Sequence, residues 1–254
     1  MKKQKILIDV PKRVNILNVP ISTVNLTVAL NFVANNFNAI LGNYICASNV
    51  HTTVMAYENN EYLKAQSESI LSLPDGKPLA VVGMKKGYKE MKKTTGTHFM
   101  QSIFIDDRFK NKKHYFYGNT KENLDLMINK IKKDYPNLNI CGYEPSIFRE
   151  LTDSELNDLA LRINETGADF VWIGIGAPRQ EILMNRLKGK TTSIMVGVGG
   201  AFNILAGLVN DAPKWMQDMG LEWFYRLCKE PRRMFKRYII GNFKFLKAIL
   251  KEKN

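Results

Sequence analysis

Short apolar runs separated by helix-length amphipathic stretches recur along most of this 254-residue chain, and that alternation constrains its fold more than any other feature. Seven strand candidates follow from it, at 14–17, 44–47, 70–73, 114–117, 138–142, 170–175 and 193–198. Helical patterns lie between them. Ser22 is placed to cap one that carries Val24, Val28 and Val33, and a second follows Asn119 and Thr120. A third follows Thr152, where Thr152 and Glu155 have the spacing of a capping box. Strands alternating with helices of this length predict an α/β, Rossmann-like, mainly parallel sheet with helices on both faces. Ligands of such sheets sit at the carboxyl ends of the strands, so the loops just after strands are where functional residues are expected.

The alternation stops after Gly207. Aromatic and basic residues then interleave in short helical segments broken at Pro213, Pro231 and near Gly241. This divides the chain into an α/β domain over 1–209 and a helical, basic C-terminal appendage over 210–254. From Arg226 to Asn254 there are ten Lys and Arg against two Glu, a local charge of +8 within a total of +13. Such a segment needs an anionic partner: nucleic acid, anionic lipid or a phosphorylated substrate. Its aromatic content adds an apolar side to that partner.

Three cysteines, Cys46, Cys141 and Cys228, lie far apart without metal-ligand spacing, which favours a reducing compartment. Asp9, Pro11, Lys12 and Arg13 interrupt any signal-peptide apolar region, and no apolar run is long enough to span a bilayer. Any membrane contact is therefore expected to be peripheral, from the cytoplasmic side. His51, His98 and His114 have no paired spacing, and Asp106-Asp107 reads as a solvated helix face, so no metal site is expected. No cofactor is implied.

Four strand-end loops carry polar or glycine-rich motifs. Asn49 follows the second strand candidate, either capping the next helix or offering an amide to a sugar or nucleotide. Asp75, in Pro74-Asp75-Gly76, is either a turn residue or a carboxylate held at the ligand edge as a general base. Gly174 and Gly176 precede Arg179-Gln180-Glu181, and Gly199 and Gly200 follow the last strand candidate. Those glycines suit close approach of backbone N–H groups to a phosphate, or tight packing turns. Neither is a dinucleotide fingerprint, because Arg179 and Phe202 stand where the third glycine belongs, and an NAD-dependent oxidoreductase is disfavoured.

Several blocks in order resemble the bacterial WecG/TagA/CpsF glycosyltransferases. They are Pro74-Asp75-Gly76, the run from Trp172 to Glu181, Gly197 to Phe202, Ala212 to Gln217, Glu222 to Leu227 and Glu230-Pro231-Arg232-Arg233. The resemblance implies an inverting, metal-independent enzyme. It would move an N-acetylmannosamine-type sugar or another hexose derivative from a UDP-sugar to a polyprenyl-diphosphate-linked saccharide, for teichoic acid or other surface polysaccharide. It implies Asp75 as base, Asn49 in the active-site pocket and Gln180 near the donor. The appendage, with Arg226, Arg232, Arg233 and Arg237, would close the site and engage the lipid diphosphate at the inner membrane face. Three positions depart from the family pattern: Ala47 for Thr, His98 for Asp and Asn203 for Asp. The competing reading is a basic α/β protein that binds nucleic acid through the tail, although the tail has no nucleic-acid motif. A homo-oligomer remains open. Of the tail's aromatics, Trp215 and Trp223 are expected to pack on the core. Phe235, Ile239, Ile240 and the apolar residues from Phe243 onward are candidates for the lipid-facing side of interfacial helices, and from Phe243 onward the membrane is the expected partner.

Overall fold

The computed structural model describes residues 8–235 and 240–251, with the side chains of Asp218, Arg233 and Met234 outside it. Two strands form an antiparallel hairpin: β1 (Arg13–Ile16) and β2 (Val19–Ser22). Six make the main sheet: β3 (Tyr44–Ser48), β4 (Leu71–Pro74), β5 (Lys113–Gly118), β6 (Asn139–Glu144), β7 (Phe170–Gly174) and β8 (Ile194–Gly197). Their order is β4-β3-β8-β7-β5-β6, and every pairing is parallel.

Strand side chains alternate between two helical layers, as a period of two residues requires. Phe116, Phe170, Trp172, Ile194 and Val196 enter one core, with helices Leu26–Asn36, Gly96–Ile105, Lys121–Asp134 and Ala201–Leu205. Tyr115, Tyr117, Val171, Ile173 and Met195 enter the other, with helices Asp153–Glu165 and Arg179–Leu187. Apart from the edge strand β6, the strands are thus largely buried on both faces, which is why they read as mainly apolar runs. The expected class, a parallel sheet with helices on both faces, is the observed one.

Two local expectations are corrected. Ser22 does not cap a helix: it ends β2, is buried, and its hydroxyl accepts the Ser72 amide at 3.0 Å. The cap is Asn25, whose side chain accepts from Val28 N. The first strand candidate also ends a residue early, because Leu17 and Asn18 turn the hairpin with φ of 52° and 63°. Thr120 does cap helix Lys121–Asp134, and Thr152 and Glu155 form the predicted capping box.

One feature of the topology positions the site. After β7 the chain leaves by the face of helix Arg179–Leu187. After β3 it leaves through Val50–Glu58 and then Asn60–Ser67, the second of which packs on that same helix. After β8, which lies between those two strands, it leaves by the opposite face through Ala201–Leu205. Diverging connections open a crevice at the carboxyl edge, where ligands of open α/β sheets bind. Beyond the sheet, helices Lys214–Met219, Glu222–Lys229, Pro231–Phe235 and Gly241–Lys251 follow. Among the described residues, no helix is long and apolar enough to cross a membrane.

Candidate active site

β3 and β4 end side by side, with Ser48 opposite Pro74, so Asn49 and Asp75 emerge from adjacent strands. The Asp75 amide donates to the Ser48 carbonyl at 2.7 Å and to the Leu73 carbonyl at 2.9 Å, which fixes the turn. Gly76 has φ of 144°, a backbone setting that strains any residue with a side chain. A Cβ built at Gly76 lies 3.8 Å from Asn49 Cβ, so the two loops touch. Asp75 is half-buried just ahead of helix Lys77–Lys85, where unpaired N–H groups favour an anion. Asn49 does cap its helix: Oδ1 accepts Thr52 N at 3.2 Å, and Asn49 N donates to Thr52 Oγ1 at 2.8 Å. Capping uses the oxygen only, and a ligand oxygen is what its Nδ2 donor suits.

The glycine loops divide by role. A Cβ at Gly174 would lie 2.5 Å from the Phe202 ring, so this glycine serves packing. Built at Gly176 or Gly200, a Cβ meets nothing within 4 Å, so these two border open space. Gly199, with φ of 51°, lies against Gln180. Gln180 is only 4% exposed. Its Oε1 accepts the Gly176 amide at 3.2 Å, and its Nε2 donates to Glu181 Oε1 at 2.7 Å. In this structure Gln180 therefore braces the loop, and the Gly176 N–H is occupied by it. Glu181 is wholly buried, and burial pushes its carboxyl up to about 7 against the hydrogen bond from Gln180.

The appendage reaches this edge. Lys77 Nζ donates to the Met219 carbonyl at 3.0 Å. Lys93 Nζ donates to the Gln217 carbonyl at 3.3 Å and pairs with Glu222, both partners being largely buried. A Cβ at Gly220 would fall 2.5 Å from Lys77 Cδ, so this turn lies on the lysine stem two residues past Asp75. Arg226 is half-buried on helix Glu222–Lys229, and Arg232 is exposed on the next helix. Arg233 is described only in its backbone, and Arg237 lies outside the described residues, as does Ile239.

Side-chain exposure corrects the reading of the aromatics. Trp215, expected to pack, is 60% exposed, and Trp223 is 36% exposed. Phe245, expected to face lipid, is buried against the hairpin cluster with Ala248 and Ile249 beside it. Phe243, Leu246 and Leu250 form the opposite, exposed stripe of the same helix. A helix with two apolar faces can dock by one and present the other.

Sequence reasoning missed Lys77, Lys93, Asn119 and Glu181. Asn119 follows β5 with φ of 62°, and its Nδ2 donates to Asn203 Oδ1 at 2.7 Å. That bond gives Asn203, one of the family departures, a partner at the sheet edge. Ala47 is buried, with its Cβ 3.2 Å from a Cβ built at Gly96, and His98 is exposed near the start of helix Gly96–Ile105. His114 is structural: its Nδ1 accepts Trp172 Nε1 at 3.0 Å, and burial lowers its pKa to about 4. Asp106 caps a short 3-10 turn and pairs with Arg108, which corrects the helix-face reading. Among the described residues no three His, Cys, Asp or Glu cluster as metal ligands. A cleft of about 320 Å³ beside β6 is lined by Glu144, Glu155 and Asp158 with Arg162. That acidic lining suits a diphosphate poorly.

A model of the family described as "Glycosyl transferase WecG/TagA/CpsF family" matches residues 14–254. A Bacillus subtilis (strain 168) protein named N-acetylglucosaminyldiphosphoundecaprenol N-acetyl-beta-D-mannosaminyltransferase is 27% identical over 237 residues, 92% of this chain and 90% of its own length. A protein of the same name from Bacillus spizizenii (strain ATCC 23059 / NRRL B-14472 / W23) is 28% identical over 211 residues, 83% of this chain and 79% of its own length.

Proposed function

The chain belongs to the WecG/TagA/CpsF family of glycosyltransferases, and we propose that it moves an N-acetylmannosamine-type sugar from a UDP-sugar to N-acetylglucosaminyl-diphospho-undecaprenol. Both relatives carry that acceptor and that sugar in their names. The reaction proceeds by single displacement. Asp75 takes the proton of the acceptor hydroxyl, whose oxygen forms a bond to the sugar C1. The bond from C1 to the diphosphate oxygen breaks, its electron pair leaves with UDP, and the anomeric centre inverts. Asn49 Nδ2 orients a sugar oxygen, and the open edge at Gly176 and Gly200 admits the donor. Arg226, Arg232, Arg233 and Arg237 meet the negative charge of the two diphosphates, the charge that most needs stabilising as the bond breaks.

The observation that carries this reading is the clamp of Lys77 and Lys93 on the appendage. It holds residues 217–222, just ahead of the most basic part of the chain, against the segment that carries the candidate base. In this reading residues 1–209 are the catalytic domain and 210–254 bind membrane and lipid diphosphate at the inner membrane face. The test is UDP release from a panel of UDP-sugars mixed with a short polyprenyl-diphosphate-GlcNAc analogue. Release with UDP-N-acetylmannosamine that depends on the acceptor is expected. No release with any donor would overturn the reading.

A further inference from the structure

A buried run of polar side chains lies beneath the glycine loops and the Asp75 turn, and the transfer step does not use it. It begins at the Gly176 amide, held by Gln180, whose Nε2 donates to Glu181 Oε1. Tyr62 lies on helix Asn60–Ser67, which packs against the helix of Glu181, and it acts on the Glu181 carboxyl, whose Oε2 has no hydrogen-bond partner. Tyr62 Oη already accepts from Gln66 Nε2 at 2.8 Å, so its own proton is available to the carboxyl. Ser48 Oγ donates to Gln66 Oε1 at 2.7 Å and meets Ser72 Oγ at 2.8 Å. The run ends at Ser48, whose carbonyl holds the Asp75 amide. Ser48, Tyr62, Gln66, Ser72 and Glu181 are all without solvent exposure.

A carboxyl at the centre of such a run is costly. Burying an acid without a cationic partner disfavours its charged form, and no basic side chain is among the groups acting on Glu181. What it supplies is two acceptor oxygens: Oε1 takes Gln180 Nε2 on its own helix, and Oε2 is left for the Tyr62 hydroxyl of helix Asn60–Ser67. An amide there offers one acceptor, and an apolar side chain offers none.

We propose that Glu181 is a positioning residue for sugar transfer, joining the donor-side glycine loops to the Asn49–Asp75 edge through Tyr62, Gln66 and Ser48. Glu181 touches no reacting atom in this role. It sets the distance between the open edge at Gly176 and the carboxylate of Asp75. This rests on the transfer reading above, and two measurements keep the two apart.

Transfer kinetics of Glu181→Gln and Glu181→Leu give the first. A fall in kcat of tenfold or more is expected, with KM for the UDP-sugar changed less than threefold, in protein that melts cooperatively. Unchanged kcat in either folded variant would overturn the proposal. The second is amide hydrogen exchange at Gly176 and Asp75 in the whole protein without substrate. Both amides should exchange at least tenfold faster in Glu181→Gln. Faster exchange at Gly176 alone, or at neither, would overturn it even if the wild-type protein releases no UDP. Should both Glu181 variants fail to fold, Ser48→Ala probes the other end of the run. It should speed exchange at Gly176, and an unchanged Gly176 amide would refute the coupling.

Discussion

A carboxylate placed one residue ahead of a helix N-cap meets unpaired N–H groups, and Asp75 has that place before Gly76. Pro-Asp-Gly was legible as a turn, and the turn and the half-buried acid prove to be compatible. Gln180 shares a helical stripe with Met184 and Leu187, which turns it inward. The burial of Glu181 was not legible, because an acid one step off that stripe reads as solvated. Its burial comes from helix Asn60–Ser67, which packs over it and is distant in sequence. Two buried groups make stability depend on pH in opposite directions. Glu181 has a folded pKa raised from 4.5 to about 7, so the stability of its neutral form is complete below 4.5 and lost as pH rises through 7. His114 has a folded pKa lowered from 6.5 to about 4, so the stability of its neutral form holds above 6.5 and is lost as pH falls through 4. Thermal melts should show the wild type losing ground to Glu181→Gln between pH 4.5 and 7. They should show it losing ground to His114→Asn, which keeps an acceptor for Trp172, between pH 6.5 and 4. Parallel melting profiles would contradict both assignments.

Most sheet strands were legible because burial on both faces leaves little polar alternation to confuse them, whereas β6 at the sheet edge is half-buried or exposed and was legible only in its first part. The hairpin was half legible. Its turn uses Leu17-Asn18 with positive φ at both positions, where glycine is the usual signal, and Pro20 in β2 argues against a strand. The clamp between elements was invisible, since a lysine gives no hint of a partner more than a hundred residues away. Lys93 nonetheless fixes helix Glu222–Lys229, none of whose residues is buried. Lys93→Ala should lower stability by only about 1 kcal/mol, as expected for one ion pair that is not fully desolvated. It should raise KM for the lipid-linked acceptor several-fold, because the arginine-bearing helix loses its tether. Steady-state kinetics with acceptor varied would show this, and an unchanged acceptor KM would remove the clamp from substrate binding.

At the scale of the molecule, a charge of +13 with +8 from Arg226 onward gives the chain one strongly basic end. The exposed stripe of Phe243, Leu246 and Leu250 lies in that same segment. Basic and apolar surface together suit an anionic bilayer, where each contributes separately. Replacing the three stripe residues by serine should reduce partitioning onto anionic liposomes tenfold or more and leave the melting temperature nearly unchanged, because Phe245 keeps the helix docked. Equal partitioning in sedimentation would show that the stripe does not meet lipid. Asp75, at the carboxyl edge of the sheet and beside the clamped appendage, is proposed as the base for sugar transfer. Its most direct test is the rate of acceptor-dependent UDP release by Asp75→Asn beside wild type, with equal melting temperatures confirming equal folding. A loss of about 10²- to 10⁴-fold in kcat is expected, the range for removing a general base. A variant that retains most of the wild-type rate would contradict it.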